Sequence, residues 1–303
     1  MKKIKKYQLI QDLLNQGLDY PKFTRRLASI RNSVDYSTLL EIVENFVKRS
    51  PIFKEYMFGT IFPNDSNALG GSRDFFLKPS SVESEISWIS LQIKYNKEKI
   101  QFFVSKKRIF EHLFLHGRYS EALNILENVR KELGVSIWYY ESKLLLYEYS
   151  NRTDDKFLLL SDINEKQGET HAGFVTSILH FISYRTARNL SAYKYDLDLQ
   201  NCFQRNRTDF QKSNCDYFLF KLNYFKHYNI DDFKTIFAFE NTNSLVDRYL
   251  TLIYLMQTMY IHGNNDEYIA NRALYLYSKT KDIMWIPLFA LVYPERIPDV
   301  YFD

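Results

Sequence analysis

His112 and His116 stand one helical turn apart, a spacing at which two neutral imidazoles can share a metal ion. Glu111 precedes His112, but the His-Glu-x-x-His order that joins two ligands to a general base is absent, and no third ligand can be named. Histidines at helix ends commonly pack or cap, so no metal is expected here. Ala68-Leu69-Gly70-Gly71-Ser72-Arg73 could aim backbone N–H groups at a phosphate. It lacks the Gly-Lys-Ser/Thr that completes a phosphate loop, and no strand is expected before it, so a flexible linker is the simpler reading. Glu141-Ser142-Lys143 has the acid-x-lysine order of metal-dependent nucleases, whose chemistry is normally mounted on strands. Here the three fall on a helix and read as surface charge.

Arg108 is separated from His112 by three residues and from His116 by seven, and neither interval fits the arginine–histidine pairing of helical ribonucleases. No Gly-x-Ser-x-Gly elbow occurs, and the sparse glycines, nine in 303 residues, leave no dinucleotide fingerprint. No catalytic residue and no cofactor are expected. As an unrecognised helical enzyme, the chain would have to rely on Glu111, His112 and His116.

Residues 184–212 carry a different chemistry. Arg185, Arg188, Lys194, Arg205, Arg207 and Lys212 stand against Asp196, Asp198 and Asp209, interleaved with Tyr184, Tyr193, Tyr195, Phe203 and Phe210. Cations that neutralise phosphates beside rings that stack on bases suit RNA or single-stranded DNA. The alternative is a pair of amphipathic helices with aromatic core faces and solvated charges. From Asp231 to Glu267 the balance reverses, with six acids against Lys234 and Arg248, which would polarise the surface and tune the choice of partner.

The elements that would position these groups are helical. No proline interrupts the chain between Pro79 and Pro287. Ala122, Ile125, Leu126, Val129 and Leu133 recur on one helical face, and Gly134 suits the left-handed stop after it. One long helix from Glu85 to His116 is expected before it, making a helical hairpin, with Ser80-Ser81-Val82-Glu83 as its capping box. Gly117-x-Tyr119-x-x-Ala122-Leu123 resembles the middle of a tetratricopeptide repeat, over residues 100–134. In that repeat a glycine turns the chain, an aromatic packs across the pair and a small residue permits close helix contact; Gly134 stands where the repeat usually has proline. The resemblance implies stacked helix pairs. Turn clusters near 117, 151, 189, 229 and 263, separated by 34, 38, 40 and 34 residues, fit helix-pair repeats, although a bundle with helices of similar length would space its turns alike.

Residues 1–80 read as short helices broken at Gly17, Asn32-Ser33 and Ser50-Pro51, ending in a loop from Gly59 to Ser81 that holds three of the nine glycines and two of the seven prolines. Residues 81–303 read as the helical array. Its apolar end, with Trp285, Leu288, Phe289, Leu291 and Val292, would cap the last repeat; alternatively Trp285, Phe289 and Val292 would dock another chain.

Composition narrows the classes further. With 46% hydrophobic and 25% charged residues the chain can bury a sizeable core, and a net charge of +4 is too mild to mark a nucleic-acid binder by itself. Cys202 and Cys215 form no Cys-x-x-Cys pair and read as reduced thiols. Apolar runs fall short of the roughly 20 residues that span a bilayer, so a cytoplasmic protein without a membrane partner is expected. The fold expected is all-α, of stacked helix-turn-helix pairs, either a tetratricopeptide-like solenoid or an irregular helical array. The function expected is a non-catalytic scaffold or sensor subunit that binds a protein or peptide. The Lys, Asn, Tyr and Phe bias suggests an AT-rich bacterial genome, and by analogy at fold level such chains serve in regulatory or antiviral assemblies.

Overall fold

Short polar side chains start several of the helices, and residues with positive φ follow the ends of several. Asp35 accepts the Thr38 amide at 3.0 Å, Ser81 that of Ser84 at 3.1 Å and Ser136 that of Tyr139 at 3.0 Å, each satisfying an N–H that a helix start leaves without an intrahelical partner. Gly117, Asn151 and Gly263 follow helix ends with φ of 69°, 58° and 65°. The computed structural model describes residues 20–49, 57–59, 61–70, 81–168, 174–187, 190–204, 216–222, 229–263 and 266–297. Its principal helices are α1 (Tyr20–Ser33), α2 (Tyr36–Arg49), α3 (Val82–Tyr95), α4 (Lys97–Leu115), α5 (Tyr119–Leu133), α6 (Ile137–Tyr149), α7 (Thr153–Gly168), α8 (Phe174–Arg185), α9 (Ala192–Gln204), α10 (Asp232–Glu240), α11 (Leu245–Ile261), α12 (Asp266–Thr280) and α13 (Ile286–Phe289). Among the described residues there is no strand, and no helix is long and apolar enough to cross a membrane.

The helix expected from Glu85 to His116 is in fact two. Asn96 divides it, donating from its side chain to the Gln92 carbonyl at 2.8 Å and from its main chain to that of Ile93 at 3.1 Å. A side chain that bonds the main chain one turn back competes with the helical ladder. The serine that caps α3 is Ser81, one residue later than the capping-box pattern places it.

In the middle of the chain α4 packs on α5, α5 on α6, and α6 on both α7 and α8, which gives stacked helix pairs. The last helices then turn back. α11 packs against α3 and α6, and α12 against α3 and α4, while α1 and α2 lie on the same α3. An open solenoid brings together only neighbouring repeats, whereas this array closes on its own beginning. The cause is α11, which buries Leu245, Val246, Tyr249, Leu252, Ile253, Leu255, Met256 and Met259 and so needs cover on most of its circumference.

Residues 61–70, expected to be part of a flexible loop, are wedged into this closure. Val135 N–H donates to the Pro63 carbonyl at 2.7 Å, Leu245 N–H to that of Ile61 at 2.8 Å, and Gly70 N–H to Asn243 Oδ1 at 3.1 Å. The loop satisfies main-chain groups at the starts of other elements, which fixes it in place.

The C-terminal segment caps the array from within. Tyr249 donates to Asp282 at 2.7 Å and accepts from Trp285 Nε1 at 3.1 Å. Trp285 and Phe289 are fully buried, and this enclosure leaves neither ring available to another chain; of the three proposed docking residues only Val292 stays at the surface.

Candidate binding groove

α4 carries Gln101, Ser105, Arg108 and His112 at steps of four, three and four, so the four share one polar stripe. Val104 and Leu113 turn inward beside them. The end of α12 stands opposite: Gln101 donates to the Lys279 carbonyl at 2.7 Å, and Lys281 follows with φ of 58°. The tight turn after α4 brings up Arg118, whose N–H bonds the Leu113 carbonyl at 2.9 Å. These elements enclose a groove of about 780 Å³ in which Arg108, Arg118 and Lys281 are cationic and none of the ten lining residues is a carboxylic acid. Arg118 is paired with Glu121 through two hydrogen bonds, one from Nε at 2.6 Å. Arg108 makes no ion pair among the described residues.

His112 lines this groove, and His116 follows it one turn on at the end of α4. Their rings lie 4.2 Å apart between centroids, tilted by 33°, and His116 Nδ1 donates to the His112 carbonyl at 2.7 Å, a bond that caps the end of α4. Glu111 turns away to Lys107 at 2.6 Å. Among the described residues no three His, Cys, Asp or Glu side chains come together to hold a metal. In the Glu141-Ser142-Lys143 segment the charges part: Glu141 meets Arg185 at 2.9 Å, and Lys143 meets Glu127 at 2.6 Å and the Tyr139 hydroxyl at 2.9 Å. Burial works against the Lys143 charge, but these two partners outweigh it and hold the ammonium above its ordinary range. Gly70 N–H is taken by Asn243, and residues 71–73 of the candidate phosphate loop lie outside the described residues.

The basic and aromatic residues of 184–212 divide in the same way. Arg185 is half-buried and engaged by Glu141 and by the Leu222 carbonyl. Tyr195 packs on Phe181 and Tyr184, centroids 6.3 Å and 5.8 Å apart, and Tyr184 donates to Asp198 at 2.8 Å. Lys194 and Tyr193 are exposed. Arg188, Arg205, Arg207 and Lys212 lie outside the described residues, as do Cys215 and the side chain of Cys202. A second hollow, of about 480 Å³ between α7 and α8, is lined by Phe157, Tyr184, His180 and Lys156, whose ammonium is held by Glu148 at 2.7 Å.

The charges between 231 and 267 do not all face solvent as the sequence suggests. Glu240, Asp247 and Arg248 are buried. Glu240 accepts from Lys221 at 2.7 Å, Thr251 at 2.9 Å and Asn243 at 3.2 Å. Arg248 donates to the carbonyls of Glu240, Asn241 and Asn243 and thereby closes the end of α10. Asn241 reaches Glu85 at 2.9 Å, and Glu85 pairs with Arg31. Asp247 accepts the main-chain N–H of Ile137 at 2.9 Å and of Trp138 at 3.0 Å, capping α6 from α11.

Burial pushes the Asp247 carboxyl up to about 6; nearby Glu240 adds to the rise, and Lys221 with the two N–H groups opposes it. An aspartate in an unfolded chain titrates near 3.9. Between about pH 4 and about pH 6 the folded state therefore holds more protons, and the contribution of this group is full below that window and is lost as pH rises through it. Urea unfolding across this range should give a stability-versus-pH slope that is less negative in Asp247→Asn than in the wild type. Equal slopes would exclude the effect.

No protein-family model matches the chain, and no curated protein or solved structure matches it.

Proposed function

We propose that the chain is a non-catalytic helical scaffold that seats a protein or peptide partner in the groove between α4 and α12. The observation that carries this reading is the groove itself, a hollow of about 780 Å³ between α4 and the end of α12, lined by cations without a carboxylic acid among them. The tetratricopeptide-like reading of its helix pairs is supported by Tyr119, which packs across the turn on Phe114 at 5.7 Å, by fully buried Ala122 and by the positive φ of Gly117. Composition and fold-level analogy support a cytoplasmic, bacterial regulatory or antiviral assembly as the setting. The second reading, RNA or single-stranded DNA bound along 184–212, is supported by exposed Tyr193 and Lys194. Tagged chain isolated from its native cells should retain a protein companion in fixed ratio through size-exclusion chromatography. Elution of the chain alone, or with RNA that nuclease removes, would overturn the scaffold reading.

A further inference from the structure

Within the α4–α12 groove, Arg108 and Lys281 set the sign of the charge. Glu121 occupies Arg118, Glu111 is held by Lys107, and no carboxylic acid lines the groove. The C-terminal turns of α4 and α12 both border it, and each brings the equivalent of about half a negative charge. Their carbonyls already have donors: Gln101 on Lys279, the Arg118 N–H on Leu113 and His116 on His112. Arg108 lies two turns before the end of α4, too far to serve as the usual cation of a last turn.

Apolar surface runs beside the charge. Ile109, 40% exposed, lines the groove, and Leu115, 80% exposed, lies seven residues beyond Arg108 on the same face of α4. No Phe, Tyr or Trp is among the lining residues. A site that binds single-stranded nucleic acid without such rings lacks the stacking that holds bases, whereas cations alternating with aliphatic side chains complement an acidic amphipathic segment. From Gln101 to His112 the stripe runs about 16 Å at 1.5 Å per residue, the length of three helical turns.

We infer that this groove takes an acidic amphipathic helix of a partner protein, with carboxylates spaced to meet Arg108 and Lys281, and an apolar edge laid on Ile109 and Leu115. The inference deepens the scaffold reading and rests on it. Two walls from distant parts of the chain make the site selective for a helix rather than for any polyanion. α4 offers Arg108 in a polar stripe with Ser105 and His112 and with Ile109 beside it, and Lys281 comes from a distant part of the chain across the groove.

The test uses fluorescence anisotropy with full-length protein and three probes: a labelled helical peptide of about 16 residues with glutamates and leucines at i, i+3, i+4 and i+7, its counterpart with lysines for glutamates, and a single-stranded oligouridylate of similar charge. The glutamate peptide should bind, with an affinity that falls about tenfold as salt rises from about 50 to about 200 mM. It should lose at least about tenfold affinity in the double variant Arg108→Glu/Lys281→Glu, which the lysine peptide should then prefer. Both positions are exposed, and a thermal melt matching the wild type shows that the variant folds. Ser105→Trp, which fills the groove without changing charge, should also block the glutamate peptide. Equal binding of the glutamate peptide to wild type and double variant, no binding at either salt, or displacement of the peptide by the oligouridylate overturns the inference. If the companion isolated from native cells is captured equally well by Arg108→Glu/Lys281→Glu, the groove inference fails while the scaffold reading stands. If no companion exists, the scaffold reading fails.

Discussion

Gly134→Ala is expected to destabilise the chain by about 3–5 kcal/mol, the range reserved for substitutions with a named structural conflict, and to lower the urea midpoint accordingly. Gly134 adopts φ 68° and ψ −151°, a region that is essentially glycine-only and costs other residues about 1–3 kcal/mol. Sterics add to this. A Cβ at Gly134 would lie 2.0 Å from the Pro63 carbonyl oxygen and 2.8 Å from its carbon, and both are main-chain atoms that cannot rotate aside. Relief requires the 61–70 wedge to withdraw, which breaks the Val135–Pro63 hydrogen bond of 2.7 Å beside the cap of α6. Gly117→Ala is the control: its φ of 69° is similar, yet nothing lies within 4 Å of the added atom, so it should cost only about 1–2 kcal/mol. Equal losses in the two variants would show that the wedge moves freely and that backbone conformation alone sets the cost.

Those two glycines also mark what could be read locally. The α5 face was legible because Ala122, Leu126, Val129 and Leu133 recur at helical steps, and all four are buried. The turns near 117, 151 and 263 were legible because Gly and Asn tolerate the conformations that stop helices. What escaped is whatever joins distant segments. Asn96 has no local signal stronger than its neighbours, and it ends α3 through a side-chain bond to Gln92. The return of α11 and α12 onto α3 and α4 leaves no trace in periodicity, which records that a face is apolar and is silent about what covers it. Glu240 and Asp247 look like solvated acids until Lys221, 19 residues from Glu240, and Ile137, 110 residues from Asp247, are placed beside them. The groove escaped for the same reason. Arg108 could be weighed only by its interval to two histidines, because Lys281 reaches it through tertiary packing alone.

Glu240→Ala is the other substitution expected to have a large effect, a loss of about 3–5 kcal/mol, because it removes one partner of a buried ion pair and leaves the other uncompensated. Glu240 is fully buried and the Lys221 side chain is 11% exposed. Burial alone would lower the Lys221 pKa, but Glu240 and Asp247 reverse the direction and keep the ammonium charged. Without Glu240, the Thr251 hydroxyl and one amide hydrogen of Asn243 also lose their acceptor. Glu240→Gln keeps the shape and part of the hydrogen bonding, and should fall between the wild type and the alanine variant. The decisive comparison is Glu240→Leu/Lys221→Met. If the two charges act as a pair, the double variant costs markedly less than the sum of its singles, since apolar side chains of similar size replace a pair whose desolvation already offsets much of its attraction. Additive losses would show instead that each group serves its own neighbours independently. This network lies where the array closes. It joins α1, α3, the end of α10 and α11, the helices whose return closes the array. α11 in turn packs on α12, whose last residue Thr280 and the following Lys281 line the groove. A coupled loss in the double-variant cycle would therefore show that Glu240 and Lys221 act as one buried pair at the point where the last helices return onto the first.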